Sequence, residues 1–308
     1  MKKTFKTLDE QIKILETRGL IINDYEKAMD ILFKENYFFI NGYRHLIVVP
    51  DNSNKFVEGA TFDELYSLFL FDRYMRNIMF KYILTIENNI KSMMSYQLSK
   101  KYGYKEHDYL NVKHFRQEHF KLSQVNDVIN KMKRQIRLNA KQHRATKHYI
   151  TNYGYIPMWV SVKVLSFGII SELYSILKDE DQEELASYYG IKPYELNIYL
   201  SLLCNYRNLC AHEDIIYDHQ TQRSIPDCKY HQLLDIPKEY DEYLYGKNDF
   251  FAMLIIMKQL LSKDEFIDLA HEISYEIDAL HGKIKSVNVD RILNRMGFPE
   301  NWRKITEV

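Results

Sequence analysis

The sequence predicts an all-α protein. Only ten glycines and six prolines interrupt 308 residues, and most segments of ten or more residues carry apolar side chains at three- and four-residue spacing. A hydrophobic content of 46% suffices for a sizeable core. Residues 9–18 read as a first helix stopped by Gly19, and residues 24–35 as a second that Asp24 can cap. The stretch 38–49 alone has β character, through Ile40, Tyr43, Ile47, Val48 and Val49. The turn formers Pro50-Asp51-Asn52-Ser53-Asn54 close it as a small hairpin. Thr61 and Glu64 form a capping box that opens the longest helix, running through Leu65, Leu68, Phe69, Met79, Ile83, Ile86, Ile90 and Met94 to about Lys101. Such a length serves as a bundle spine. Residues 123–145 give another helix, and Pro157 begins one that includes Trp159 and continues toward Leu177. Residues 181–189 and 193–212 follow, then 250–262, 264–281 and 289–296. No internal repeat or low-complexity linker is present.

Charge and cysteine usage narrow the function. Lys plus Arg and Asp plus Glu balance at 42 each, so attraction to nucleic acid requires a local patch. Such a patch exists: no acidic residue occurs between Asp127 and Glu172, while Lys131, Lys133, Arg134, Arg137, Lys141, Arg144, Lys147 and Lys163 accumulate. Lys133, Arg137, Lys141 and Arg144 recur every three or four residues, so one helix face can track a phosphate backbone. Tyr149, Tyr153 and Tyr155 can stack on unpaired bases. The alternative is a solvated basic face balanced by the acidic run 179–184. Cys204, Cys210 and Cys228 are an odd number without zinc-finger spacing, which fits buried thiols in a reducing compartment. Met1-Lys2-Lys3-Thr4-Phe5-Lys6 leads into a charged pattern and not a signal peptide. The apolar stretch 156–170 is broken by Ser, Lys and Gly and falls short of the roughly 20 residues that span a bilayer. A soluble, cytoplasmic protein with no cofactor is expected; no Gly-rich phosphate loop is present.

The run Tyr206-Arg207-Asn208-Leu209-Cys210-Ala211-His212 carries the chemistry. It joins an always-charged guanidinium, an amide and an imidazole that titrates near neutrality. Asn208 and His212 share a helix face, whereas Arg207 and His212 diverge by about 140° at about 100° per residue. They meet only if the helix ends near Ala211, if the Arg207 side chain bends round, or if a second copy completes the site. The competing reading gives Arg207 a helix salt bridge and places His212 at a helix C-terminus, where a cation is favourable. Two further pairs, Asp72 with Arg76 and Glu87 with Lys91, are four apart and can pair along the spine. They are either ordinary helix stabilisers or groups that position Arg207.

Blocks along almost the whole chain resemble the Abi-2 family of bacterial abortive-infection proteins, of the AbiD and AbiF type. They include Leu8-Asp9-Glu10-Gln11, Arg18-Gly19-Leu20-Ile21-Ile22, Asn36-Tyr37-Phe38 with Asn41-Gly42-Tyr43, and Phe71-Asp72-Arg73-Tyr74-Met75-Arg76. Ile86-Glu87-Asn88-Asn89-Ile90-Lys91-Ser92, Pro157-Met158-Trp159-Val160, Leu165-Ser166-Phe167-Gly168, the Arg207–His212 run and Gly297-Phe298-Pro299-Glu300-Asn301-Trp302 continue the match. Lys91 stands where the family often has Arg, which keeps the charge but loses the fork. The resemblance implies a HEPN-like helical core, here residues 61–225, between an N-terminal helical region 1–60 and a C-terminal helical region 226–308. It further implies an RNA-targeting, toxin-like immunity protein with Arg207 and His212 as catalytic residues. Because the chain holds one such motif, it implies a homodimer, and for the AbiF type a small noncoding RNA partner. Asn208 would orient His212 or hold a phosphate, with Glu87, Arg76 and Lys91 in support. A non-catalytic RNA-binding regulator on the same fold is the competing class.

Overall fold

In this computed structural model, residues 4–50 and 52–308 are described, so Met1, Lys2 and Lys3 and the turn position Asp51 lie outside the described residues. The architecture is all-α, with fifteen α-helices and two two-stranded hairpins among the described residues. Helices α1 (Leu8–Thr17), α2 (Tyr25–Glu35) and α3 (Tyr37–Asn41) precede the hairpin β1 (Val48–Val49) and β2 (Asn52–Phe56). The spine α4 (Phe62–Tyr102) is 41 residues long, about 60 Å at the usual helical rise. Then come α5 (Glu106–Tyr109), α6 (Leu122–Asn139), α7 (Arg144–Tyr153), α8 (Met158–Ser161), α9 (Phe167–Ile176), α10 (Asp179–Ser187) and α11 (Pro193–Ala211). Helix α12 (Lys229–Leu233), the hairpin β3 (Lys238–Glu239) and β4 (Glu242–Tyr243), then α13 (Phe250–Leu260), α14 (Lys263–Lys283) and α15 (Val289–Arg295) complete the chain.

The capping box at the start of α4 forms in both directions. Thr61 Oγ1 accepts from the Glu64 amide at 3.2 Å and Glu64 Oε2 accepts from the Thr61 amide at 2.9 Å. Glu64 also reaches across the fold. Its other oxygen accepts from the Lys285 and Ser286 amides at 2.6 and 2.7 Å, fastening the chain after α14 to the base of the spine. Asp24 caps α2 through the Lys27 amide at 3.0 Å. Helices α11 and α14 both pack along α4, and α9 packs on α11. Buried side chains from Ile12 to Ile305 form one cluster.

Three expectations need correction. The helix read over 123–145 ends at Asn139 and restarts at Arg144. His143 turns to an extended conformation, ψ 129°, and the buried Thr146 hydroxyl lies 2.7 and 2.9 Å from the carbonyls of Asn139 and His143, tying the start of α7 to the end of α6. The helix read from Pro157 toward Leu177 is also two helices. After Ser161 the run Val162-Lys163-Val164 tightens into turns, and Ser166 caps α9, as β-branched residues and a cap residue favour. The small hairpin expected after residue 38 is present, at Val48–Val49 and Asn52–Phe56, but most of 38–49 is helical or 3-10. Asn52 and Asn54, read as turn formers, lie in β2.

Candidate active site

Helix α11 is built to deliver its C-terminal end. Pro193 occupies its first turn, and the fully buried Tyr199 and Tyr206 anchor it. It stops at Ala211 with a Schellman closure: the Asp214 amide bonds the Leu209 carbonyl at 3.0 Å and the Glu213 amide bonds the Cys210 carbonyl at 3.4 Å. Glu213 takes a left-handed conformation, φ 58°, where glycine is usual. His212 is the C-cap residue and is exposed, like Asn208 on the same face.

A buried polar cluster on α4 holds that closure in place. Asp72 accepts from the Ile216 and Tyr217 amides at 3.3 and 2.9 Å and from the Tyr43 hydroxyl at 2.7 Å, and it pairs with Arg76. Arg76 donates to the Asp214 carbonyl at 3.3 Å and to Tyr43 at 3.1 Å. Burial pushes the Asp72 carboxyl up to about 6, against the opposing pull of Arg76 and of its hydrogen-bond donors. Arg73 forks onto Glu35 at 2.7 and 2.9 Å and reaches Glu213 at 3.8 Å. Gly42 completes the enclosure: a Cβ there would stand 3.0 Å from the Ile215 side chain.

Arg207 lies against the next part of the spine. Its guanidinium sits 5.8 Å from the centre of the Phe80 ring, and its Nε faces Glu87 Oε2 at 4.0 Å. Both of these atoms are buried and neither makes a hydrogen bond. The other Glu87 oxygen accepts from Lys91 Nζ at 2.6 Å. The Arg207 side chain is 34% exposed, so a charged fork is partly open to an incoming anion while its inner edge is held by a carboxylate. Among the described residues no hydrogen bond or ion pair joins Arg207 to His212. His212 instead opens onto a cavity of about 600 Å³ lined by Phe38, Phe39, Tyr43, His45 and Glu213 among others.

The basic residues divide between two helices. Lys133, Arg134 and Arg137 stand on α6, Lys141 lies in the turn, and Arg144 and Lys147 begin α7, so the single face expected from their spacing does not exist. All six are exposed. None pairs with an acid among the described residues. The run 179–184 pairs elsewhere: Asp179 with Arg116, and Glu180 and Asp181 with Lys101. Lys131 alone of this segment is bridged, to Asp127 and to Glu172 of α9 at 2.9 Å each. The three cysteines are free, and burial raises the Cys210 thiol to about 12.

Sequence reasoning missed the roles of Phe80, Tyr43, Glu213 and Arg73. Tyr43 and Glu213 sit within or next to the motif blocks, but their contacts cross the fold and have no signature in local spacing. No helix of the described residues is long and apolar enough to cross a membrane. No curated protein and no solved structure matches the chain. The model of the Abi-like protein family matches residues 30–218, from α2 through the segment clamped by Asp72. The chain thus belongs to the Abi-like family, and its role lies in abortive infection, a form of phage defence.

Proposed function

We propose that this protein is a metal-independent endoribonuclease of the HEPN type, with its site completed by a second copy of the chain. The observation that carries the reading is Arg207, a half-open guanidinium held on Phe80 and Glu87, five residues before an exposed imidazole at a clamped helix end. His212 takes the proton of a ribose 2′-OH, and the oxygen attacks the adjacent phosphorus. The bond to the 5′-oxygen breaks, leaving a 2′,3′-cyclic phosphate, and the 5′-oxygen collects a proton from the second copy's protonated imidazole. Such acid-base work contributes about 10²–10⁴-fold. Arg207 neutralises the charge that grows on the phosphoryl oxygens, and Asn208 orients the imidazole or holds a phosphate. Glu87, Arg76 and Lys91 act by positioning.

A second copy is supported by the lack of contact between Arg207 and His212 within one chain and by the apolar surface beside His212, where Phe38 is 75% exposed. The exposed cations Lys133, Arg134, Arg137, Lys141, Arg144 and Lys147 give RNA a landing surface, and a small noncoding RNA held there would restrain or guide the enzyme. Incubation of purified protein with total RNA in EDTA tests the reading. Cleavage with cyclic-phosphate ends, lost in Arg207→Ala and His212→Ala, is expected. Tight RNA binding without cleavage under any condition would instead identify a non-catalytic RNA-binding regulator. A structured small-RNA gene beside the coding region is the expected sign of RNA restraint.

A further inference from the structure

Beyond Glu87 the spine borders a groove of about 560 Å³ that runs over α4 from Asn88 to Lys100 and is closed by Trp159, Val162 and Lys163. None of its lining residues is acidic. Three lysines reach it. The Lys91 amine is engaged by Glu87, whereas Lys100 and Lys163 are exposed and pair with no carboxylate among the described residues. Three rings line it as well: Tyr96, Tyr104 and Trp159 are 69%, 39% and 47% exposed. The Trp159 and Tyr104 rings lie 5.5 Å apart. From Tyr104 the aromatic surface continues to Tyr155 at 5.8 Å, to Tyr153 at 6.4 Å and to Tyr149 at 5.3 Å, ending on α7 beside the basic residues.

We infer that this groove is a subsite for an unpaired nucleotide of RNA, its base stacked on Trp159 and Tyr104 and its phosphate on Lys100 and Lys163. Tyr155, Tyr153 and Tyr149 carry the next bases toward α7. Unpaired bases offer flat faces that a row of exposed and half-buried rings can use, and duplex RNA does not. An acidic peptide would use the lysines and leave the rings idle. The position fits the chemistry, because Lys91 lines the groove while bonding one oxygen of Glu87, whose other oxygen faces Arg207. Lys100 lies about 20 Å along α4 beyond Glu87, so a strand with its reacting phosphate at Arg207 reaches the rings a few nucleotides further along its backbone. This inference rests on the RNA reading of the Arg207 site.

The chain has two tryptophans, and Trp302 is buried at 5% exposure, so quenching of tryptophan fluorescence on stacking reports Trp159. The probe is a 2′-O-methyl oligoribonucleotide of about eight unpaired residues, within the usual footprint of single-strand sites, which cannot be cleaved through its 2′ position. Saturable quenching is expected. Trp159→Phe abolishes the signal, and Trp159→Ala weakens binding, followed by anisotropy, by about 5- to 100-fold, the usual range for one stacked base. Lys100→Glu with Lys163→Glu weakens it at least about 10-fold and flattens its salt dependence. Both lysines are exposed, and unchanged thermal melts confirm that these variants fold. Binding that is equal in wild type and the lysine variant overturns the subsite, as does adenosine monophosphate binding as tightly as the oligonucleotide, which would mark a free-nucleotide site. If wild type quenches normally but never cleaves RNA, the subsite stands and the ribonuclease reading fails.

Discussion

Asp72–Arg76 and Glu87–Lys91 are the same device, a carboxylate four residues before a cation on α4, and all four residues are buried. They differ in what surrounds them. Asp72 and Arg76 are hydrogen-bonded to Tyr43 and to the backbone that follows α11, Asp72 through both of its oxygens. Glu87 has one oxygen without a partner, facing an equally unpartnered Arg207 Nε, and Lys91 lines an open groove. A buried polar group without a hydrogen bond is costly. The first pair ties the spine to the chain after α11, whereas the second faces an arginine that is partly open to solvent. The first pair fixes where His212 stands; the second holds Arg207.

The contrast can be broken from either side. Asp72→Ala strands Arg76 and frees the chain after α11, and should cost about 3–5 kcal/mol in urea unfolding, the usual consequence of removing one partner of a buried pair. A loss below about 1 kcal/mol would remove the distinction. Arg207→Ala should leave unfolding within about 1 kcal/mol of wild type while lowering RNA cleavage at least about 100-fold. Equal losses of stability and cleavage would make it a structural residue.

The pH dependence sharpens the first pair. Burial raises the folded Asp72 carboxyl to about 6, above its ordinary unfolded value of about 3.9, so the native state holds this proton more tightly than the unfolded chain. Its favourable contribution is complete below about pH 4 and lost as pH rises through 6. Thermal melts from pH 4 to 7 should show wild type losing on the order of 1–3 kcal/mol relative to Asp72→Asn. A constant difference would show that Arg76 and the backbone donors keep Asp72 ionised throughout. Glu87→Gln is expected to be milder in the fold, about 1 kcal/mol, because Lys91 can turn to water in the groove. It should reduce kcat about 10-fold with little change in KM, since it loosens Arg207 without removing it; a change confined to KM would place Glu87 in substrate binding. The smallest effect belongs to the basic face. Lys133→Ala with Arg137→Ala should lower the salt slope of RNA binding by about 0.7 for each phosphate left without its cation, and an unchanged slope would move RNA elsewhere.

Much of the helical order was legible because its signals are local. The Thr61–Glu64 box, the Asp24 cap and the apolar spacing of α4 depend on neighbours within a turn or two, and the helices formed where those patterns lie. The breaks were not legible. Residues 140–143 keep helical spacing, yet His143 turns extended and the buried Thr146 hydroxyl ties the two helix ends together, and residues 162–166 turn because Ser166 caps the next helix. The basic residues lost their shared face with that break.

At the site, the amino-acid sequence by itself determined the chemistry on offer: an arginine, an amide and a histidine at the end of one helix, with two acid-base pairs in register on another. Helical periodicity sets both patterns. Only the tertiary structure decided which pair serves which group. Placing α11 against α4 lays Asp72 and Arg76 under the chain after His212 and Glu87 under Arg207, a choice made by burial and by polar contacts between residues more than a hundred positions apart.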